Sequence, residues 1–385
     1  MTPAARVQAS IEILDDILSG APVEKALTGW ARCSRFAGSK DRAAIRDHVF
    51  DALRRQRSYA ALGGSDTGRG LMIGATRASG GDLAELFTGN RHAPMPVQET
   101  ETARDFASEA EKYDIPEWLW PRFAASLNDA LVPCAMSLQN RAPVHLRVNF
   151  HKTDPNDAIE ALKSEGIVAH PVQICRTALK VTEGARRIAQ SQAYARGLIE
   201  LQDAASQAVV ASLDLRPGMR VLDYCAGGGG KALALAAYEG VEVFAHDVNP
   251  GRMKDIPTRA ERAGAKITTL NTAALSGLDP FDVVLVDAPC SGSGSWRRAP
   301  AGKWALTEER LRELTIIQAR VLSDIAPLVR PGGLLAYATC SVLMDENGSI
   351  IADFLERHSG WRETYRKAWH VTHESDGFFT SHLTR

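Results

Sequence analysis

Two short runs hold the residues with the clearest chemical potential: Asp287-Ala288-Pro289-Cys290-Ser291-Gly292 and Thr339-Cys340-Ser341. Each follows an apolar stretch that reads as a strand, over 281–287 and 334–339. A third run, Asp223-Tyr224-Cys225-Ala226, ends another strand over 221–225 and enters four glycines, Gly227, Gly228, Gly229 and Gly230, before Lys231. Gly227, Gly229 and Ala232 fit G-x-G-x-x-A between a strand and a helix, where small residues let the backbone approach a ligand at the helix N-terminus. Asp247 ends the next strand, where an acid can accept both hydroxyls of a ribose. A phosphate-binding P-loop is excluded, because it needs Gly at Cys225 and Ser or Thr at Ala232.

A doubly wound sheet binds its ligands beyond the carboxyl ends of its strands. Cys290 and Cys340 are therefore expected in the crevice that the glycine loop lines. A thiolate there is a covalent catalyst. Carbon 5 of cytosine is a poor nucleophile toward a sulfonium methyl group. Addition of sulfur to carbon 6 makes the ring enamine-like and nucleophilic at carbon 5. Methyl transfer, loss of the carbon-5 proton and expulsion of the thiolate then complete the reaction. A free thiol has a pKa of about 8.5, so such a site must favour the thiolate. Enzymes that methylate exocyclic amines need no adduct and carry an aromatic residue where Cys290 stands. The glycine loop alone also fits a nicotinamide-dependent oxidoreductase, but that reading leaves both cysteines unexplained.

The elements that must position these groups alternate regularly from Arg220 onward. Strands are expected over 221–225, 241–247, 266–270, 281–287 and 334–339, with helices between, the longest from Thr307 to about Val329. This is the pattern of a mostly parallel sheet covered on both faces. Two further strands are expected over 366–371 and 377–383. A small α+β segment precedes, with strands over 144–150 and 167–168 around a helix over 154–162, and a helix opens near Gln202-Asp203 and ends near Leu215. The start of the chain reads as helical. Thr2-Pro3 opens the first helix, Val7, Ile11, Leu14 and Leu18 share a face, and Asp41 is expected to cap another helix. Residues 63–81 are Gly-rich and read as a loop or connection. Arg32, Arg35, Lys40, Arg42, Arg46, Arg54, Arg55 and Arg57 make this the most basic N-terminal stretch.

The chain has 385 residues, 45 Lys+Arg against 46 Asp+Glu, and a net charge of -1, so any basic surface is local. Its six cysteines form no C-x-x-C pair and its ten histidines no H-E-x-x-H motif, so no metal is expected. Reduced thiols point to the cytoplasm, and no membrane span or signal peptide is expected.

These motifs resemble the Nop/Sun family of RNA (cytosine-5) methyltransferases, in particular the bacterial Sun-type ribosomal RNA enzymes with a NusB-like N-terminal domain. Asp287-Ala-Pro-Cys290-Ser-Gly, Tyr337-Ala-Thr-Cys340-Ser, Gln202-Asp203-Ala-Ala-Ser206, Trp296-Arg297-Arg298 with Lys303-Trp304, and Gly377-Phe378-Phe379 carry the resemblance, which spans essentially the whole chain. It implies an α/β fold: a Rossmann-like S-adenosylmethionine methyltransferase sheet over 201–385, a small α+β extension over 136–200, and an all-helical RNA-binding domain over 1–135. It implies Cys340 as nucleophile, Cys290 in product release, and Asp287 on the cytosine edge. Cys225, Ala226, the four glycines, Lys231, Asp247, Arg252, Asn271 and Asp287 form the expected cofactor set. The family loop reads A-P-G-G-K, with Gly228 here in place of the proline. Asn271 stands where an Asp is common, and Ala301 replaces an Asp often found after the Arg-Arg-x-Pro run.

RNA contacts are expected from Arg297, Arg298 and Trp304 at the mouth of the site, and from Arg32, Arg35 and Lys40. The implied substrate is 16S ribosomal RNA, and the implied state is a monomer. Transfer RNA, or a ribosome assembly factor with vestigial methylation, are the alternatives.

Overall fold

The computed structural model describes residues 1–385. The chain folds into two compact units. One comprises Met1–Ala124, Leu131–Arg141 and Trp296–Ala305; the other comprises Ala125–Ala130, Ala142–Ser295 and Leu306–Arg385. No helix is long and apolar enough to cross a membrane.

The first unit is helical. Its first helix, Pro3–Leu18, is capped by Thr2, whose side chain accepts from Ala5 N–H, and its face of Val7, Ile11 and Leu14 is buried. Asp41 was expected to cap its helix but lies inside it. The helix is Ser39–Arg54, Gly38 is the cap, and the Asp41 carboxylate accepts from Gly38 N–H while pairing with Arg6 and the N-terminal ammonium. The Gly-rich stretch is not a loop throughout. Gly68–Ala78 is a helix capped by Thr67 and packed against the Pro3–Leu18 and Gln56–Gly63 helices. A Cβ at Gly74 would collide with the Tyr59 backbone carbonyl. Close helix approach outweighs the roughly 1 kcal/mol propensity cost of each glycine.

The second unit holds two sheets. The smaller contains β1 (Val144–Val148), β2 (Val168–Pro171), β3 (Ala178–Glu183) and β4 (Ile199–Leu201), in the order β2-β3-β1-β4 with every pairing antiparallel. β3 and β4 were not expected from the sequence. The Pro155–Ser164 helix, capped by Asp154, packs beside β2.

The larger sheet contains β5 (Arg220–Asp223), β6 (Glu242–His246), β7 (Ile267–Leu270), β8 (Phe281–Asp287), β9 (Val329–Thr339), β10 (Arg362–Trp369) and β11 (Phe378–Thr384). Its order is β10-β11-β9-β8-β5-β6-β7. The five strands from β5 to β9 run parallel, and the C-terminal hairpin adds two antiparallel strands. Along β8, Val283 and Leu285 enter one apolar cluster and Val284 and Val286 the opposite one. Burial on both faces explains the unbroken apolar run of this strand. The longest helix, Glu308–Ile325, stops short of the expected end, and Pro327 follows in a tighter turn.

Candidate active site

The parallel pairing of β8 with β9 sets Asp287 opposite Ala338. The pairing continues past the strand ends, where Ala288 N–H donates to Ala338 O (2.8 Å) and Gly294 N–H to Cys340 O (2.9 Å). Two loops thus leave the sheet side by side, with Cys290 Sγ and Cys340 Sγ 3.5 Å apart, both half-buried. Two thiols this close share a proton, so they titrate as a pair. The hydrogen bond from Cys290 draws Cys340 below the usual thiol range, helped by Ser295 and Lys231 against burial and the Asp287 charge. Bonding to Cys340, together with burial, pushes Cys290 well above that range. Anionic sulfur is therefore favoured on Cys340 and the proton on Cys290.

The glycine loop lies at the end of β5. Gly227 and Gly229 have φ of 52° and 82°, and a Cβ at Gly229 would meet Ile256 at 2.7 Å. Ala226 N–H donates to His246 O, which ties the loop to the end of β6. The buried Asp247 carboxylate accepts from Gly227 N–H (3.0 Å) and Asn249 N–H (2.9 Å) and pairs with the exposed Arg252 (3.1 Å). Burial and the neighbouring carboxylates push the Cys225 thiol up, so it stays protonated. Asn271 is exposed, and its side chain caps the Thr272–Leu275 turn by accepting from Ala274 N–H.

Lys231, expected with the cofactor set, is buried and turned to Asp287, with Nζ to Oδ2 at 2.6 Å. The first helical residue after the loop is thereby linked to the acid that precedes the Cys290 loop. Three groups that the sequence reading missed complete the surroundings. Asp223 is buried, and no donor completes a hydrogen bond to either of its oxygens. Burial pushes its carboxyl up to about 7; Lys231 and the Ala232 N–H only partly offset this. Arg147, on β1, donates to Gly230 O (2.6 Å) and to Gln202. Arg259 donates to Gly228 O. Asp223 was visible as the acid ending the first strand. Neither arginine carried any signal in its sequence position.

The expected RNA contacts separate. Trp296–Ala305 belongs to the helical unit. There Arg297 is 1% exposed, its carbonyl accepts from Arg54 Nε (2.7 Å), and the half-buried Trp304 donates its indole N–H to Leu53 O (2.7 Å). Arg297 is thus a packed residue, and Trp304 has its polar edge engaged; of the expected trio only Arg298 is exposed. In the N-terminal stretch, Arg46 pairs with Glu24, Arg57 with Glu117, and Arg54 is buried, whereas Arg32, Arg35 and Lys40 are exposed.

Comparison with known proteins adds a second line of observation. A profile described as 16S rRNA methyltransferase RsmB/F matches residues 210–384, and one for the ferredoxin-like domain of RsmF/B-like methyltransferases matches residues 115–186. A ribosomal RNA small subunit methyltransferase B of Salmonella arizonae is 32% identical over 290 residues, 74% of this chain and 67% of the relative. The chain belongs to the RsmB/F family. Another relative of the same name, from Xanthomonas campestris, is 33% identical over 260 residues, which is 66% of this chain but only 59% of that protein's length. Among solved structures, the protein PH0851 aligns over 100% of this chain and 99% of its own, with TM-score 0.78 and 24% identity. NSun6 from Pyrococcus horikoshii with SFG covers 70% of this chain and 98% of its own, with TM-score 0.62 and 16% identity. At these identities the structural likeness bears on the fold alone.

RsmB/F proteins use S-adenosylmethionine, and the residues present fit it. Asp247 is held in place by two N–H donors, and Asp223 offers a buried carboxylate that lacks donors. A ligand bearing an ammonium or hydroxyl supplies the donor that Asp223 lacks.

Proposed function

We propose that this chain methylates carbon 5 of a cytosine in 16S ribosomal RNA through a covalent adduct on Cys340. The observation that carries the reading is the Cys290–Cys340 pair, 3.5 Å apart at the ends of adjacent parallel strands, beside the Lys231–Asp287 ion pair. S-adenosylmethionine, when bound by the glycine loop, Asp247 and Asp223, supplies an electrophilic methyl group. The Cys340 thiolate adds to carbon 6, and the ring electrons become available at carbon 5. Asp287, oriented by Lys231, holds the edge of the cytosine and favours the ring protonation that balances the new charge. After carbon 5 has been methylated, loss of its proton returns the electron pair to the ring and expels the Cys340 thiolate. Water takes up the carbon-5 proton, and Cys290, which keeps its own, assists by donating a hydrogen bond to the departing Cys340 sulfur. The base must be unpaired or flipped to reach the thiols.

The reading places the protein in the cytoplasm with its RNA, and assigns RNA contact to the helical unit. Arg32, Arg35 and Lys40 are exposed and flank Phe36, 75% accessible, along the chain, which supports a surface that holds phosphates beside a stacked base. The NusB-like character of that unit belongs to the same proposal.

The test is incubation of total cellular RNA with methyl-labelled S-adenosylmethionine, followed by bisulfite sequencing. Wild type should label one cytosine in 16S RNA, and Cys340→Ala should label none. Full activity in Cys340→Ala would sink the mechanism. Cys290→Ala should accumulate an enzyme–RNA adduct that survives denaturing electrophoresis. Normal release by that variant would remove Cys290 from the elimination.

A further inference from the structure

Glu346 takes no part in the steps above, yet its carboxylate is the most heavily bonded near the thiols. It ends the turn Met344–Glu346, shortly after Cys340, and is 0% exposed. Oε1 accepts from Ser291 N–H (2.7 Å) and Gln318 Nε2 (3.1 Å). Oε2 accepts from the hydroxyls of Ser291 and Ser341, both at 2.5 Å. Ser291 follows Cys290 and Ser341 follows Cys340, so a single carboxylate is bonded to both thiol-bearing loops. Gln318 also donates to Pro289 O (2.9 Å), on the other side of Cys290. The next residue repeats the arrangement around Cys340: the Asn347 side chain accepts from Thr339 Oγ1 (2.6 Å) and donates to Ser341 O (2.9 Å). Tyr337 O–H anchors the turn itself by donating to Glu346 O (2.7 Å).

A carboxylate withdrawn from water is costly unless donors surround it, and charge-assisted bonds are the strong, directional ones. Four donors from three segments converge on this one, so moving either loop alone breaks bonds to it.

We propose that Glu346 is a positioning residue that fixes the spacing of the Cys290 and Cys340 thiols and so the proton they share. The proposal rests on the cysteine chemistry proposed above. The Glu346 charge also acts on Cys290, where it favours the protonated thiol.

Glu346→Gln preserves shape and one acceptor oxygen but removes the charge. Two measurements test it: steady-state methylation, and alkylation of each cysteine by iodoacetamide as a function of pH, read by mass spectrometry on the free protein. The expected results are a kcat lowered about 10- to 100-fold, a KM for S-adenosylmethionine within about twofold of wild type, and a Cys340 alkylation profile moved to higher pH by about one unit. Ser341→Ala, which removes one bond only, should move the profile the same way by less; it serves if Glu346→Gln does not fold. An unchanged alkylation profile in the folded variants overturns the proposal. So does an equal loss of cofactor affinity and kcat, which marks a general structural role. Cys340→Ala is run alongside. If it retains methylation, the cysteine mechanism has failed; if it is inactive while Glu346→Gln is normal, only the positioning role has.

Discussion

At the scale of single residues, Asp223 makes the sharpest prediction. Its carboxyl titrates at about 7 in the folded chain instead of the ordinary 3.8, because burial disfavours its charge. Folding therefore retains a proton that the unfolded chain releases. This group's contribution to stability is complete below about pH 4 and is lost as pH rises through 7, an effect of up to about 4 kcal/mol at roughly 1.4 kcal/mol per unit. Asp223→Asn should melt higher than wild type at pH 8.5 and show a much smaller difference at pH 5. An equal difference at both values would show that the carboxyl does not carry this shift. The same variant should bind S-adenosylmethionine more weakly. Cofactor binding by wild type near pH 7 should release a fraction of a proton, seen calorimetrically as a heat that varies with the buffer's ionisation enthalpy. The paired cysteines, Asp247 and the glycine loop could all be found from residue type and spacing, because their chemistry restricts both, whereas Asp287 came with the family resemblance. Asp223 could have been found, since an acid that closes an apolar strand at a ligand crevice is seldom neutral in purpose.

At the scale of elements, the glycine loop depends on partners drawn from other parts of the unit. Arg147 reaches Gly230 O from β1 in the small sheet, and Arg259 reaches Gly228 O from the helix Ile256–Ala263. Arg147 is buried deeply enough to fall to about 10. Each arginine restrains a backbone with few conformational limits of its own. Arg147→Met and Arg259→Met should each weaken S-adenosylmethionine binding about 5- to 50-fold, the worth of one charge-assisted bond, while kcat at saturation stays within about threefold. Titration calorimetry and steady-state kinetics check this; unaltered affinity in both variants would show that the loop holds its shape unaided. No local pattern could reveal this clamp, because pairing between distant segments creates it. The same cause hid β3 and β4. β4 has three residues, too few for a period, and both strands are defined by their pairing with β1. The Gly68–Ala78 helix was hidden for the opposite reason: its glycines signal a loop locally and serve tight packing globally.

At the scale of the whole molecule, sequence order proved a poor guide to which unit a segment joins. Arg297, Arg298 and Trp304 follow the Cys290 loop directly, and so were expected at the site's mouth. Their segment belongs to the helical unit, where Trp296 stacks on Phe123 and Lys303 is buried and donates to Arg54 O (2.9 Å). Burial lowers the Lys303 ammonium to about 8. Lys303→Met keeps the bulk but leaves that carbonyl unsatisfied, and should destabilise the protein by about 1–3 kcal/mol in urea denaturation followed by tryptophan fluorescence. An unchanged midpoint would mean that another donor takes its place. This excursion also constrains how the protein is made. A ribosome delivers the chain from its N-terminus, and domains ordinarily close in that order. Here the helical unit still lacks Trp296–Ala305 once the chain has emerged as far as Arg141. It must wait, with the hollow for Trp296 and Lys303 unfilled, until four of the seven strands of the larger sheet have already left the tunnel. The helical unit therefore closes only while the larger sheet is already forming.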